Sequence, residues 1–234
     1  MDISACLPDA AWCREVRLRV LTLWPLKALA NSLGLALFFV AYFWVMRHPQ
    51  AEVAVMPLTA VDGWFDFAPA AMPLYASLWL YLGLPIALLR TKRELRACGL
   101  AALALSGVGM AIFLFLPTAV PPAAIDWSLH PGVAFMKHVD AGANACPSLH
   151  AAFAVFTAVW LGRLLVEMRS GAALRALNWA WCLGILYSTL ATRQHVALDL
   201  LAGAALGLVV ALLHEAAPRP RGGAALLPAR GSAL

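Results

Sequence analysis

Charged side chains are scarce in this sequence: Asp, Glu, Lys and Arg make up only 12% of its 234 residues, against about a quarter in soluble domains. With 63% of the residues hydrophobic, that shortage excludes an ordinary water-soluble fold, because a single core of this size cannot hide so much apolar surface. Lipid is the solvent that suits a mean hydropathy of +0.80. The five cysteines (Cys6, Cys13, Cys98, Cys146, Cys182) include no CxxC spacing and are odd in number. They therefore indicate neither a zinc site nor a disulfide framework, and read as small apolar packing residues. No ligand cluster for a metal, no glycine-rich nucleotide loop and no internal repeat is present, so no metal and no cofactor is expected. The pI near 9.2 raises nucleic acid as a partner, but the basic residues form short clusters between apolar runs and no continuous face. No nucleic-acid partner is expected. A cleavable signal peptide is not expected either: the chain starts acidic and polar (Asp2, Asp9) and its first apolar run exceeds a signal core.

What is abundant is long apolar runs. A helix needs about 20 mainly apolar residues to cross the hydrocarbon. Six segments meet or approach that length: Leu21 to Met46, Ala70 to Leu89, Ala97 to Leu116, Pro147 to Leu165, Ala176 to Thr192, and His195 to His214. The last two are separated by a very short turn, yet one unbroken helix there would be far too long for a bilayer. The fold class expected is all-α, a polytopic bundle of six transmembrane helices. Its organisation is a cytoplasmic N-terminal segment over 1–20, a six-helix membrane domain over 21–215, and a disordered cytoplasmic tail over 216–234. The positive charges test this layout independently. With the N-terminus inside, every Lys and Arg falls on the inner side except Arg47, Lys137 and Arg193, the bias that orients membrane proteins. Both termini are then cytoplasmic. The Ala- and Arg-rich composition points to a bacterial inner membrane, with the outer loops facing the periplasm.

Two outer loops differ from the rest. The stretch from Arg47 to Pro69 carries Trp64, Phe65 and Phe67, which suits the headgroup zone. The stretch from Pro117 to Cys146 carries Asp126, His130, Lys137, His138 and Asp140.

Two constellations carry chemistry, both at expected outer ends of helices. Cys146-Pro147-Ser148-Leu149-His150 opens the fourth span. Proline suits the first helical turn, and the N–H groups and positive dipole end there attract anions. Ser148 adds a hydroxyl and His150 an imidazole. Thr192 to Asp199 opens the sixth span, with His195 and Asp199 at i and i+4 on one face. A carboxylate bonded to one ring nitrogen fixes the tautomer and leaves the other nitrogen basic. An acid about a turn inside the apolar zone needs a partner and a purpose. The blander readings are an ordinary helix start and a hydrogen-bonded pair joining two helices. Gly203 and Gly207 form a small-xxx-small pair that indicates close helix packing.

These stretches resemble the type 2 phosphatidic acid phosphatase superfamily. Phe115 to Pro122 is similar to the proline-rich first motif of its inositol phosphorylceramide synthase-like branch. Pro147 to His150 matches the second motif, and Ser188 to Asp199 the spacing of the third, Ser-Arg-x5-His-x3-Asp. The resemblance implies that His195 is a nucleophile forming a phosphohistidine, that Asp199 orients it, and that His150 is the general acid. It implies that Ser148, Leu149 and nearby backbone N–H groups hold the phosphate, and that no metal takes part. Two departures stand out: no Lys-x6-Arg-Pro run precedes Pro117, and the arginine of the third motif falls at Thr189. Arg193 and Lys137 are the cations that could replace the missing ones. The expected substrate is a lipid phosphate or polyprenyl phosphate held among membrane lipids. Hydrolysis, transfer of a phospho-headgroup to an acceptor, and a non-catalytic membrane role on the same scaffold are the three readings. Oligomeric state is not legible.

Overall fold

The computed structural model describes residues 10–139 and 142–216, without the side chains of 137–139, 215 and 216. Residues 217–234 of the expected tail, together with Asp140 and the side chains of Lys137 and His138, lie outside the described residues. Nine α-helices lie among the described residues: α1 (Ala10–Leu21), α2 (Trp24–Arg47), α3 (Met72–Ala76), α4 (Leu78–Leu88), α5 (Lys92–Phe115), α6 (Pro131–Val139), α7 (Leu149–Glu167), α8 (Ala172–Ala191) and α9 (Ala197–Ala216). Five segments are long and apolar enough to cross a membrane: α2, the continuous stretch Pro69–Leu88 through α4, α5, α7 and α9. The sixth expected span is the helix α8. Its 20 residues reach about 30 Å at 1.5 Å each, but Arg175 and Asn178 dilute its apolar character, and it is not among the five.

Local chemistry explains where these helices start. In α2, Pro25 sits in the first turn, where its missing N–H costs nothing. The α5 N-terminus is closed by a capping box. Thr91 Oγ1 accepts the Glu94 N–H at 3.1 Å, and Glu94 Oε2 accepts the Thr91 N–H at 3.4 Å and that of Arg90 at 2.7 Å. The short segment over 1–20 contains a helix that the apolar pattern does not announce. Arg19 on α1 is buried and donates to Glu15 and to Glu167 of α7, each at 2.8 Å, so the helix is docked on the bundle. Lys27 Nζ donates to the carbonyls of Arg19 and Ala87 at 2.6 and 2.8 Å, as a buried ammonium must.

The centre of the bundle is α7, the most enclosed of the five candidate spans. It packs most closely on α9, and the glycines of α9 explain why. A Cβ at Gly203 would stand 2.1 Å from the Ser148 carbonyl oxygen, and one at Gly207 2.1 Å from that of Ala152. Only glycine lets the two backbones approach this far. A polar knot ties α4, α7 and α8 together. Tyr81 Oη donates to Asn178 Oδ1 at 2.6 Å, and Asn178 Nδ2 donates to the Ala158 carbonyl at 2.9 Å.

At one end of the bundle the two long loops meet. Strand β1 (Ala54–Val55) pairs in parallel with β2 (Thr118–Ala119), and Thr118 also bridges to Asn144.

Candidate active site

The proline-rich stretch before α6 acts as a frame. Thr118 receives hydrogen bonds from two N–H groups of the segment that leads into α7: Ala145 donates to its carbonyl at 2.9 Å and Cys146 to its Oγ1 at 2.8 Å. Asn144 donates to the Tyr42 hydroxyl. The entrance to α7 is therefore tied to both β2 and α2.

Ser148, not Pro147, begins the helix. It is the N-cap of α7, its Oγ accepting the Ala151 N–H at 3.2 Å, so Pro147 precedes the cap and does not occupy the first helical turn. The difference is physical: a serine oxygen that reaches the third N–H of the helix is a better cap than any alternative nearby. Ser148 is fully buried, and its own N–H donates to the Asp199 carbonyl at 2.9 Å. The α7 and α9 motifs are thus joined through the main chain.

His150 is on the next turn face. Its ring stacks on Tyr75 with centroids 3.8 Å apart and planes 7° from parallel, and Trp79 meets it edge-on. Its Nε2 lies 2.9 Å from the Tyr75 carbonyl. A carbonyl only accepts, so Nε2 carries a proton.

The turn between α8 and α9 sets the second histidine. The Thr189 carbonyl accepts N–H bonds from both Gln194 (3.1 Å) and His195 (3.2 Å), and Arg193 takes a left-handed conformation with φ 56°, reversing the chain. His195 Nδ1 is 3.1 Å from Asp199 Oδ2, and Asp199 Oδ1 accepts the Val196 N–H at 2.9 Å. Asp199 is fully buried. With Nδ1–H donating to the carboxylate, Nε2 is the basic nitrogen of a neutral ring.

His150 and His195 come from different helices but line one cavity of about 660 Å³. Leu149 and Asn144 share its wall, and most of the remainder is apolar, contributed by α2, α4, α5 and α7. Among the described residues no group of three or more His, Cys, Asp or Glu side chains could hold a metal ion.

Arg193 donates from Nη1 to the Asp62 carbonyl at 3.2 Å and from Nη2 to the Phe65 carbonyl at 2.7 Å. Its guanidinium thus holds the loop that follows β1. Lys137 belongs to α6 by its backbone, and its side chain is outside the described residues. Thr189, in the place of the third-motif arginine, is buried and donates to the Leu186 carbonyl at 2.7 Å.

One residue that sequence reasoning missed is Asp62. Its carboxylate accepts from the Ala197 N–H at 2.7 Å, capping α9 across 135 residues, and from the Thr59 N–H and hydroxyl at 2.7 and 2.8 Å. Burial pushes this carboxyl up, and the bonds from Thr59 and Ala197 outweigh it, holding it below the usual 3.8. The local signal was Thr59-x-x-Asp62, the spacing of a capping box.

No curated protein and no solved structure matches the chain. Residues 99–219, just over half of it, match the PAP2 superfamily. The match is at the level of the superfamily and does not reach the inositol phosphorylceramide synthase-like branch. It spans all three sequence motifs and both cavity-lining histidines, and on that ground the chain belongs to the PAP2 superfamily.

Proposed function

We propose that this protein is a membrane-embedded lipid phosphate phosphatase that hydrolyses a phosphomonoester or diphosphate of a lipid or polyprenyl alcohol through a phosphohistidine. The observation that carries the reading is the convergence of His150 and His195 on one cavity whose other walls are largely apolar. An apolar cavity suits an acyl or prenyl tail, and two imidazoles lining it suit a reacting phosphoryl group. Family membership adds to this, since PAP2 proteins are generally phosphatases or phosphotransferases.

In this mechanism Nε2 of His195 attacks phosphorus and the bond from phosphorus to the lipid oxygen breaks. Asp199, bonded to Nδ1, stabilises the imidazolium that develops. His150 gives a proton to the departing alkoxide. Its Nε2–H is held by the Tyr75 carbonyl, so Nδ1 of the imidazolium is the nitrogen that transfers. The electron-rich face of Tyr75, stacked on the ring, attracts that cation. Water then attacks the phosphohistidine, losing a proton to His150, and inorganic phosphate leaves with His195 restored. Asp62 and Arg193 brace the turn that carries His195, and Arg193, two residues before the nucleophile, is the cation assigned to the phosphate in this reading.

The reading also keeps the six-span arrangement, with α8 crossing the membrane alongside the five more apolar segments. The distribution of positive charges supports cytoplasmic termini and a cavity mouth toward the outer leaflet.

A panel of lipid phosphates presented in detergent micelles tests this. Wild-type protein is expected to release inorganic phosphate from at least one of them, and His195→Ala to release none. A phosphorylated acceptor in place of free phosphate would identify transfer. No turnover of any member would refute the reading.

A further inference from the structure

We infer that the side-chain amide of Gln194 donates a hydrogen bond to the phosphoryl group of the substrate, an inference that rests on the phosphatase reading above. Gln194 is only 4% exposed, and its Nε2 is enclosed with no hydrogen-bond acceptor among the described residues. Buried donors are nearly always paired, and an unpaired one is costly to keep. Beside a reacting group, such a donor is one that a ligand can satisfy.

Its position says which ligand. Gln194 immediately precedes His195, and the N–H groups of both end on the Thr189 carbonyl, so amide and imidazole share one rigid turn. The other side-chain donors of this segment are engaged with backbone carbonyls. Ser188 donates to Ile185, Thr189 to Leu186, and Thr192 to Ser188, each at 2.7 Å. Arg193 donates through both terminal nitrogens to the carbonyls of Asp62 and Phe65. Gln194 stands apart from this pattern. A phosphoryl group attacked by His195, the next residue along the chain, carries non-bridging oxygens that only accept. Thr189, standing where the third family motif has arginine, has its hydroxyl committed inside α8. A neutral amide one residue from the nucleophile supplies a donor on this turn in its place.

Orthovanadate, which adopts the five-coordinate geometry of the reacting phosphorus, is the probe. Its affinity is measured by titration of the full-length protein in detergent, alongside the unfolding midpoint without vanadate and kcat and KM for a turned-over lipid phosphate. Gln194→Met keeps the volume and removes the donor. Losing a hydrogen bond to a charged group predicts roughly ten- to hundredfold weaker vanadate binding and a similar fall in kcat/KM. The midpoint without vanadate is expected to hold or rise, since the unsatisfied donor is gone. Gln194→Glu keeps the shape but sets an anion against an anion, and is expected to bind vanadate more weakly still. This second variant decides the matter if the methionine variant does not fold. Wild-type vanadate affinity in either folded variant would overturn the inference. If wild-type protein hydrolyses lipid phosphate and His195→Ala does not, while the Gln194 variants bind vanadate normally, the phosphatase reading stands and this inference falls. If wild-type protein neither hydrolyses nor binds vanadate, both fall.

Discussion

A single methyl group added at Gly203 probes the geometry on which the site depends. The new Cβ would meet the Ser148 carbonyl oxygen at 2.1 Å, where ordinary contact begins at 3.4 Å, a shortfall of about 1.3 Å. The obstacle is main chain, so no side-chain rotation relieves it, and α9 must move away from α7. Gly203 lies one turn beyond Asp199, whose carbonyl accepts the Ser148 N–H at 2.9 Å. That bond is lost if the helices separate by the full shortfall. The displacement falls between the helix that starts just after His195 and the helix that carries His150. A misplacement of about 1 Å between reacting groups costs on the order of 100-fold in rate, and overpacking of this kind costs about 1–3 kcal/mol of stability. Gly203→Ala should therefore lower kcat about 100-fold on a lipid phosphate and lower the thermal midpoint in detergent. Gly83→Ala on α4 is the control. Nothing lies within 4 Å of its Cβ, so it should leave both unchanged or gain up to about 1 kcal/mol from helix propensity. Wild-type turnover and midpoint in Gly203→Ala would refute the close-packing argument.

In the proposed mechanism, replacing the general acid should matter most when the leaving group is poor. His150→Ala is expected to cost about 10²- to 10⁴-fold on a lipid alkoxide and much less on an aryl phosphate, measured as phosphate release from each. Asp62→Ala removes three accepted hydrogen bonds, and loss of the α9 cap alone should cost about 1 kcal/mol, read as a lower unfolding midpoint. Because the folded Asp62 carboxyl is held below 3.8, its contribution is complete above that value and is lost as pH falls through the lower, folded one. Wild-type stability should accordingly drop more steeply below about pH 4 than that of Asp62→Asn. Chelation by EDTA should leave turnover intact and vanadate should inhibit it, both checked by phosphate release. Loss of activity with EDTA would contradict the metal-free mechanism.

The helices were legible because apolar runs and caps are local. The expected spans and the observed helices agree to within a few residues, and the break between α8 and α9 falls at Thr192 to Val196, where the pattern placed a short turn. Close packing at Gly203 and Gly207 was readable for the same reason: the small residues recur one turn apart. The helical start of α7 was misjudged by two residues, because Pro147 and Ser148 both fit helix starts and only the Ala151 bond distinguishes them. Helix α1 was hidden because three Arg and one Glu interrupt its apolar residues, and it is held by Arg19 reaching Glu167 across 148 residues. The parallel pairing of β1 with β2 and the Asp62 cap on Ala197 are likewise long-range, and no spacing along the chain encodes them. Arg193 was visible as a cation, but which carbonyls it binds depends on a loop 128 residues away.

The wall formed by α2 has a bearing on traffic through the membrane. This helix lines the cavity with Asn31, Gly34, Leu35 and Phe38, yet it is the least enclosed of the five candidate spans. Hydrocarbon tails are about as apolar as the leucines they would touch, so parting such a helix from its neighbours trades one oily contact for another. On the phosphatase reading, a lipid would thus slide in sideways from the leaflet, its tail never leaving oil and its headgroup never leaving the water boundary, and the alcohol left after cleavage would drift out by the same flank.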